Sequence, residues 1–302
     1  MRIGFSHYLF YYKINKMVDY AYPEKNMHKT VLKKATIYAI AMILVFSVSF
    51  FTVGCKNFPY GKNNSYQEFA SVSARDESGS PSLGPKQVRL TPEEDKIAVF
   101  TYGGAEGFYA SRNYSNGYPF NCVWRKNNVV FENGVMSLKL TYNGKYYESG
   151  EYRSSNYYRY GYYSVCMKAA ACSGVISSFF TYTGRPWDEI DMEFLGNETT
   201  KMQFNYYTGG MGGHEYLCDL GFDGADDFHE YGFDWQPDRI EWYVDGNHVY
   251  TATVDIPSAA SQIMVNVWTG TGDTFIKWCG QFDDKKLPVA AQYKWIGFKA
   301  AN

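Results

Sequence analysis

The chain has 302 residues, with 29 basic and 31 acidic side chains, a formal net charge of −2 and a pI near 6.2. Basic residues form no run beyond short pairs such as Lys285-Lys286, so this balance argues against nucleic acid as a partner. The length is sufficient for one large all-β domain or two smaller ones. Aromatic residues make up 19% of the chain, which favours a ligand with apolar faces, sugar rings included.

The first 55 residues have the pattern of an export signal. Residues 35–54, ATIYAIAMILVFSVSFFTVG, contain no charge and follow Lys29, Lys33 and Lys34. Basic residues before an apolar run are typical of a signal peptide or an uncleaved transmembrane anchor, and both place the following chain outside the cytoplasm. We therefore interpret residues 27–55 as an export signal or membrane anchor. Residues 1–26 are interpreted as an upstream extension from a misassigned start.

The apolar run ends in TVGC, residues 52–55, which resembles the lipobox of bacterial lipoproteins. In those proteins the cysteine is lipidated and becomes the first mature residue, so Cys55 is the predicted lipidation site. Thr52 stands where the lipobox usually has Leu. The sequence leaves open a lipid anchor, a transmembrane anchor and a cleaved signal.

A linker and a strand-rich region follow. Residues 56–95 are rich in Ser, Asn, Gly, Pro and charge without periodicity, which predicts a flexible linker. Residues 96–302 contain many short strand-like segments separated by Gly-containing turns, without helical periodicity. This pattern predicts one all-β domain, a β-sandwich or jelly roll. A hairpin is predicted at Asp245-Gly246, a pair favoured in type I′ turns.

The cysteines and histidines show no metal-binding pattern. The cysteines after Cys55 are Cys122, Cys166, Cys172, Cys218 and Cys279. Some could pair in an exported protein, but an odd number leaves at least one free, and the connectivity stays open. There is no C-x-x-C motif. His214, His229 and His248 are therefore interpreted as ordinary polar or loop residues.

The segment WDEIDMEFLG, residues 187–196, concentrates acidic side chains. In a strand, alternation with period two places Glu189, Asp191 and Glu193 on one face. The apolar residues that would form the opposite face are Ile190, Met192 and Phe194. Because close carboxylates repel one another, folding gains nothing from this arrangement, which indicates a functional face.

Neighbouring segments repeat this two-faced pattern. The polar and aromatic residues that alternate with apolar ones include Glu151, Arg153, Gln203, Asn205, Tyr207, Asn266 and Trp268. If these strands lie side by side, their shared face is a groove of rings, amides and carboxylates. Such a surface suits a polysaccharide.

Glycoside hydrolysis typically needs two carboxyl groups. At about 3.3 Å per residue, the Cα atoms of Glu189 and Glu193 lie roughly 13 Å apart. If the side chains lean together over a concave strand, each reaching about 3 to 4 Å, the carboxyls approach about 5 to 6 Å, which is the retaining range. Asp191 between them can hydrogen-bond to one Glu and help to set the pKa of the acid.

WDEIDMEFLG resembles the active-site motif of the lichenase group of glycoside hydrolase family 16, the bacterial β-1,3-1,4-glucanases. Further segments are similar to family segments in family order between about Phe108 and Trp295: YSNGYPFNCVWRKNNVVF, EYRSSNYYRYGYY, SSFFTYTG, QFNYYTGGMGGHEY, FHEYGFDWQPDRIEWYVDG and IMVNVWTGTG. The resemblance implies a concanavalin A-like jelly-roll sandwich with a concave substrate cleft. It also implies endo-hydrolysis of mixed-linkage β-1,3-1,4-glucan (lichenan, cereal β-glucan) with retention.

Through the matching motifs, the resemblance implies that Glu189 is the nucleophile, Glu193 the general acid/base and Asp191 their helper. The implied substrate contacts are Asn116, Glu151, Arg153, Phe180, Tyr182, Trp187, Asn205, Tyr207, Asn266 and Trp268. For each aromatic ring the alternative is core packing. We expect a monomer without a cofactor, whose partners are the β-glucan and, only through the N-terminal anchor, the membrane.

Three departures from the family pattern accompany the resemblance. Relatives often pair the cysteine at position 122 with one at position 149, where this chain has Ser149. The family's structural calcium site uses an Asp where Lys294 aligns, and a cation there opposes Ca²⁺, so no calcium is expected. The segment TYTGRPWDEID, residues 181–191, has a shorter loop before Trp187 than many relatives.

Two classes of function follow from this face. One is an enzyme in which both glutamates act, and the other is a binding module that only holds glucan. A module without activity is expected to lose a carboxylate, because each is costly to keep beside the others. All three are present, which favours the enzyme. A related β-1,3-glucanase or a transglycosylase is the alternative within enzymes.

Overall fold

Two β-sheets make up the part of the chain that the computed structural model describes, residues 89–301. In chain order the strands are β1 (Lys96–Val99), β2 (Phe108–Ala110), β3 (Val123–Trp124), β4 (Val129–Glu132), β5 (Val135–Tyr142), β6 (Tyr147–Ser149), β7 (Glu151–Ser154), β8 (Gly161–Lys168), β9 (Val175–Tyr182), β10 (Glu189–Leu195), β11 (Lys201–Tyr207), β12 (Tyr216–Asp219), β13 (His229–Trp235), β14 (Ile240–Val244), β15 (Asn247–Ala252), β16 (Gln262–Thr269) and β17 (Val289–Ala300). One α-helix, α1 (Asp273–Cys279), and the 3-10 turns Glu93–Asp95, Lys126–Asn128 and Asp284–Lys286 complete the described elements.

The sheets differ in size and in strand order. In the described part of the chain, the larger sheet has 10 strands, ordered β15-β14-β13-β8-β17-β5-β6-β3, with β1 beside β17 and β4 beside β5. The smaller sheet has 7 strands, ordered β12-β11-β10-β9-β16-β7-β2. Strand β10 pairs antiparallel with β9 and β11, so the acidic segment lies inside this sheet rather than at an edge.

The two sheets pack face to face through aromatic side chains. The ring centroids of Phe179 on β9 and Phe233 on β13 lie 5.7 Å apart. Those of Phe194 on β10 and Tyr231 on β13 lie 5.4 Å apart, edge to face. The inward residues of β10 are fully buried at alternate positions, as the period of two predicts. The predicted all-β jelly-roll sandwich is confirmed.

The predicted hairpin is confirmed, and one helix was missed. Asp245 and Gly246 have φ values of 46° and 74°, the left-handed conformation that a type I′ turn requires. Helix α1 lies in a region for which the sequence predicts no helix. It buries Phe275 and Cys279, four residues apart, between Gly272 and Gly280. Two turns are too short for a helical period to stand out from strand-like neighbours.

The predicted linker is wrong at its C-terminal end. Arg89 forms an ion pair of 2.5 Å with Asp234, and its guanidinium lies 4.0 Å from the ring centroid of Tyr162. Thr91 donates a hydrogen bond of 2.7 Å to Glu230. The packed domain therefore begins by Arg89 rather than at Lys96, since these partners lie far away in sequence and leave no local pattern.

Several predictions fall outside the described residues. They concern the extension 1–26, the export signal or anchor 27–55 with Cys55, and most of the linker, residues 56–88. Among the helices of residues 89–301, none has the length and apolar character needed to cross a membrane.

Candidate active site

The three acidic residues of β10 share the outer face of the seven-stranded sheet, the face turned away from the sandwich core. Asp191 is 5% exposed, whereas Glu189 and Glu193 are half-buried. Strands β9 and β11 flank β10, so each acid has a cross-strand neighbour on both sides. The outer face therefore presents three acids in a line, each with a distinct set of neighbours.

Glu189 is surrounded by aromatic side chains. Its cross-strand neighbours are Tyr182 on β9 and Tyr207 on β11. The indole N–H of Trp187 donates a hydrogen bond to the Glu189 carboxylate. The Trp187 ring stacks on Tyr207 with centroids 4.9 Å apart and an interplanar angle of 17°. One carboxylate oxygen is thus oriented by a ring that also forms part of the surface.

Asp191 lies between Phe180 on β9 and Asn205 on β11. It shares a hydrogen bond with Glu189 that lowers the pKa of Glu189 and raises the pKa of Asp191, so this bond favours a proton on Asp191 and a carboxylate at Glu189. The amide oxygen of Asn205 is buried without a hydrogen-bond partner. A buried acceptor left open on this face is suited to a ligand hydroxyl.

Glu193 has a polar set of neighbours. Gln203 on β11 donates a hydrogen bond of 3.4 Å from Nε2 to Glu193 Oε2. On the other side is Ser178 on β9, whose hydroxyl donates a hydrogen bond of 2.5 Å to Asn266 on β16. Only one hydrogen bond, a long one, reaches the Glu193 carboxylate from these neighbours. This contrasts with Glu189, which accepts from both Trp187 and Asp191.

All three acids have pKa values above those of ordinary carboxyl groups. Burial raises the pKa of Glu189 to about 7, against the opposing effect of its hydrogen bonds with Trp187 and Asp191. Burial and the negative charges of Glu189 and Glu215 raise the pKa of Glu193 to about 8, which the Gln203 hydrogen bond opposes. Burial, followed by the charges of both glutamates, raises the pKa of Asp191 well above its ordinary value. Near neutral pH, Glu189 therefore ionises more easily than Glu193.

Strand β7 extends the polar face two strands away from β9. Glu151 is 1% exposed and accepts hydrogen bonds from Ser111 (2.5 Å), Tyr114 (2.9 Å) and Asn266 (3.4 Å). Arg153 is half-buried and donates to the Tyr114 hydroxyl at 2.9 Å. Glu151 therefore lies beneath the surface and orients the side chains above it.

Comparison with known proteins identifies the family of this domain. The profile described as "Glycosyl hydrolases family 16" matches residues 116–296, which is more than half of the chain. The chain belongs to this family. The match includes β10 with its three acids and every strand from β3 to β16.

Two bacterial proteins and one solved structure illustrate the similarity. A protein named beta-glucanase from Acetivibrio thermocellus is 51% identical over 209 residues, 67% of this chain and 61% of that protein. One of the same name from Paenibacillus polymyxa is 51% identical over 205 residues, 66% of this chain and 84% of that protein. A solved prokaryotic β-1,3-1,4-glucanase (lichenase) from a mouse hindgut metagenome shares 44% identity with a TM-score of 0.64, covering 67% of this chain and 97% of that one.

Trp268 is the least exposed of the predicted aromatic contacts. Its ring is 6% exposed, and Phe120 stacks on it with centroids 4.1 Å apart. Phe275 of α1 lies 5.3 Å away on another side. Phe120 and Phe275 therefore cover much of the Trp268 ring at this end of β16, and its role as a sugar contact stays a prediction. The covering residue, Phe120, lies 148 positions earlier, so the strand pattern gives no sign of it.

Asn116 lies on an exposed segment between β2 and β3. Its amide oxygen accepts a hydrogen bond of 3.1 Å from the indole N–H of Trp124. The neighbouring Tyr114 bonds to Glu151 and so ties this segment to β7. Asn116 thus belongs to a segment that Tyr114 joins to the β7 side of the outer face.

Three residues of the site were missed by the sequence analysis. Trp278 on α1 donates a hydrogen bond of 2.9 Å to the amide oxygen of Gln203. Tyr114 connects Glu151 with Arg153. Asp188 accepts from the backbone of Gly209, Ser258 and Ala259 at 2.8 to 2.9 Å and so secures the loop that carries Trp187. Of these three residues, only Asp188 could have been suspected from the sequence, because it lies within the acidic motif.

The structure shows the surroundings of Ser149 and Lys294, two of the departures from the family pattern. Ser149 is fully buried, hydrogen-bonds to the Val267 carbonyl and lies beside the Cys122 thiol, whose pKa burial raises to about 12. Every cysteine in residues 89–301 is unpaired. The Lys294 ammonium lies 4.3 Å from the centroid of the Phe228 ring. Within the same residues, no group of three or more His, Cys, Asp or Glu side chains is placed to hold a metal ion.

Proposed function

We propose that the chain is an endo-acting, retaining glycoside hydrolase that cleaves mixed-linkage β-1,3-1,4-glucan. The observation that carries this proposal is the line of three acids on β10, two of them half-buried, on an outer face lined by Trp and Tyr rings. Membership of family 16 and the relatives named beta-glucanase and lichenase support the same substrate class.

Glu189 is proposed as the nucleophile because its environment favours the carboxylate. It accepts hydrogen bonds from Trp187 and Asp191, and its pKa is raised less than that of Glu193. Hydrogen bonds to the charged form stabilise it. Glu193, with the higher pKa, holds its proton at neutral pH and is proposed as the general acid/base.

The proposed reaction has two steps. In the first, Glu189 attacks the anomeric carbon while the glycosidic bond breaks and the Glu193 proton passes to the leaving oxygen. In the second, Glu193 as carboxylate takes a proton from water, the water oxygen attacks the anomeric carbon, and Glu189 leaves. Each step inverts the anomeric centre, so the product retains the starting configuration. Asp191 stabilises the Glu189 carboxylate by donating its proton in a hydrogen bond.

Substrate contacts are proposed from the surface around the acids. The rings of Tyr182, Trp187 and Tyr207 surround Glu189 and suit stacking on sugar faces. Three buried residues on β9, β11 and β16 form a further part of this face: Phe180, Asn205 and Asn266. Arg153 and Asn116 offer polar groups at the β7 side. Glu151 positions Asn266 directly and Arg153 through the Tyr114 hydroxyl.

The substrate range separates this proposal from its alternatives. We expect barley β-glucan to be cut into short oligosaccharides with retained configuration, and laminarin and xyloglucan to stay intact. Release of sugars from laminarin would indicate a β-1,3-glucanase, and transfer products from xyloglucan a transglycosylase. Binding of glucan without any product would indicate a binding module. Glu189→Ala is the control for a contaminating glucanase, because it removes the proposed nucleophile.

We also propose that the domain acts outside the cytoplasm as a monomer, either secreted or tethered to the cell surface. The apolar run of residues 35–54 with its basic flank supports export, and Cys55 at the end of TVGC supports a lipid tether. A polymeric glucan cannot cross a membrane, which agrees with an exported enzyme.

A further inference from the structure

We propose that Trp278 and Gln203 are positioning residues for the proposed acid/base: they form a hydrogen-bond chain that holds Glu193 Oε2 and leaves Oε1 to exchange the proton with the substrate. This inference rests on the proposed role of Glu193. The chain consists of the Trp278 Nε1 hydrogen bond to Gln203 Oε1, at 2.9 Å, and the Gln203 Nε2 hydrogen bond to Glu193 Oε2, at 3.4 Å.

The donor and acceptor atoms fix the direction of this hydrogen-bond chain. An indole N–H can only donate, so it must face the amide oxygen of Gln203. The amide NH₂ group is then turned towards Glu193, where it can only donate as well. Without Trp278 the amide could rotate by half a turn and present its oxygen, which would favour the protonated acid at the wrong atom.

The hydrogen-bond chain also explains how Glu193 can act as an acid in the first step of the proposed reaction and as a base in the second. A donor on Oε2 stabilises the carboxylate and opposes the effect of burial, so Glu193 can release its proton and later act as a base. Because Oε2 is already engaged, the proton belongs on Oε1. Gln203 is 7% exposed, so water competes little for its amide.

The other titratable groups around Glu193 do not stabilise its carboxylate. Those that face it are Glu189 and Asp191 on β10, Tyr207 on β11, Glu215 before β12 and Cys279 at the end of α1. None is a cation. Among these neighbours the Gln203 amide therefore is the donor that favours the ionised form.

The test measures the pH dependence of kcat/KM on barley β-glucan for Gln203→Met and Trp278→Phe, each of which removes one donor and keeps similar volume. Loss of the donor raises the Glu193 pKa, so the basic limb should move to higher pH by about half a unit to one unit. The double variant should show the same limb as Gln203→Met alone, because Trp278 acts only through Gln203. Trp235→Phe is the matched control, since it also removes an indole hydrogen bond of 2.9 Å, to Pro257, on the other sheet.

Folded single variants that keep the wild-type limb, or shifts that add in the double variant, would overturn the proposal. If Gln203→Met fails to fold, Trp278→Phe decides alone. A limb shift in Trp235→Phe equal to that in Trp278→Phe would also overturn it, because general loosening would then explain the shift. A separate measurement tests the proposed role of Glu193 itself. If Glu193 is not the acid/base, azide will not restore the activity of Glu193→Ala on an activated aryl glycoside, regardless of the pH profiles of the Gln203 and Trp278 variants.

Discussion

Asp191 and Glu189, neighbours on the outer face of β10, share a hydrogen bond that lowers the pKa of Glu189 and raises the pKa of Asp191. A carboxylic acid that stays protonated beside a carboxylate is the expected result of burying like-charged groups together. The arrangement gives Glu189 a donor without adding a second negative charge. It explains why three acids can share one strand face in the folded protein.

The roles of the two glutamates can be separated with azide. We expect Glu189→Ala to abolish hydrolysis, and azide entering the vacated space to restore turnover of an activated aryl glycoside with inverted product. Glu193→Ala should form the glycosyl-enzyme from the same substrate and then stall, and azide should rescue it with retained product. Proton NMR of the azide products gives the anomeric configuration. The opposite pair of configurations would reverse the roles, and inversion by the wild type would exclude the retaining mechanism.

Asp191→Asn is expected to lower kcat less than either glutamate change. The amide keeps a donor for Glu189 and both principal groups remain, but the exchangeable proton is lost. Steady-state kinetics on barley β-glucan measures the difference. A loss as large as that of Glu189→Ala would show that Asp191 is a principal group in the reaction.

The acids should make stability depend on pH. The folded pKa of Glu193, about 8, is above its ordinary value of 4.5, so between these pH values the folded state binds a proton that the unfolded state has lost. Stability is thus fully present below pH 4.5 and falls as pH rises to about 8. Glu193→Gln removes the charge, so we expect its gain in Tm to be larger at pH 9 than at pH 4. Calorimetry at both values tests this, and an equal gain at both would contradict the raised pKa.

Catalysis should depend on pH through the same groups. The activity kcat/KM requires ionised Glu189 and protonated Glu193, whose pKa values are about 7 and about 8. The profile should therefore be bell-shaped with its maximum between these values. A substrate with an activated leaving group needs no acid. If kcat/KM for that substrate no longer falls at high pH, the fall seen with barley β-glucan comes from deprotonation of Glu193. A basic limb that persists on that substrate would assign it to another group.

Trp187 and Trp268 should respond differently to replacement by Ala. Trp187 is half-buried beside Glu189, so Trp187→Ala should lower turnover and leave a folded protein. Trp268 is 6% exposed beneath Phe120, so Trp268→Ala should cost about 3 to 5 kcal/mol of unfolding free energy. Thermal unfolding and kinetics of both variants test this. A stable Trp268→Ala with weakened glucan binding would place it on the substrate surface.

The lipid tether is tested through Cys55. Metabolic labelling with palmitate should tag the wild-type protein and not Cys55→Ser. Cys122→Ser is a suitable control, because that thiol is 4% exposed inside the folded domain. Equal labelling of wild type and Cys55→Ser, or no labelling of either, would exclude the lipoprotein and leave export as a separate question.

The sequence by itself determined which residues share a strand face and to which family the domain belongs. Alternation along β10 is local, with a period of two, so the partition of Glu189, Asp191 and Glu193 from the core needs no knowledge of distant contacts. The same holds for the Asp245-Gly246 hairpin, whose turn chemistry lies within two residues.

Only the tertiary structure decided which distant residues pack against and around that face. Phe120 covers Trp268, Arg89 binds Asp234, and Trp278 reaches Gln203 across 75 residues of sequence. These contacts depend on the packing of elements from different parts of the chain, and no local period reports them. Helix α1 is the clearest case, because its two turns are too short to be predicted from sequence, yet it places Trp278 against Gln203, the neighbour of Glu193.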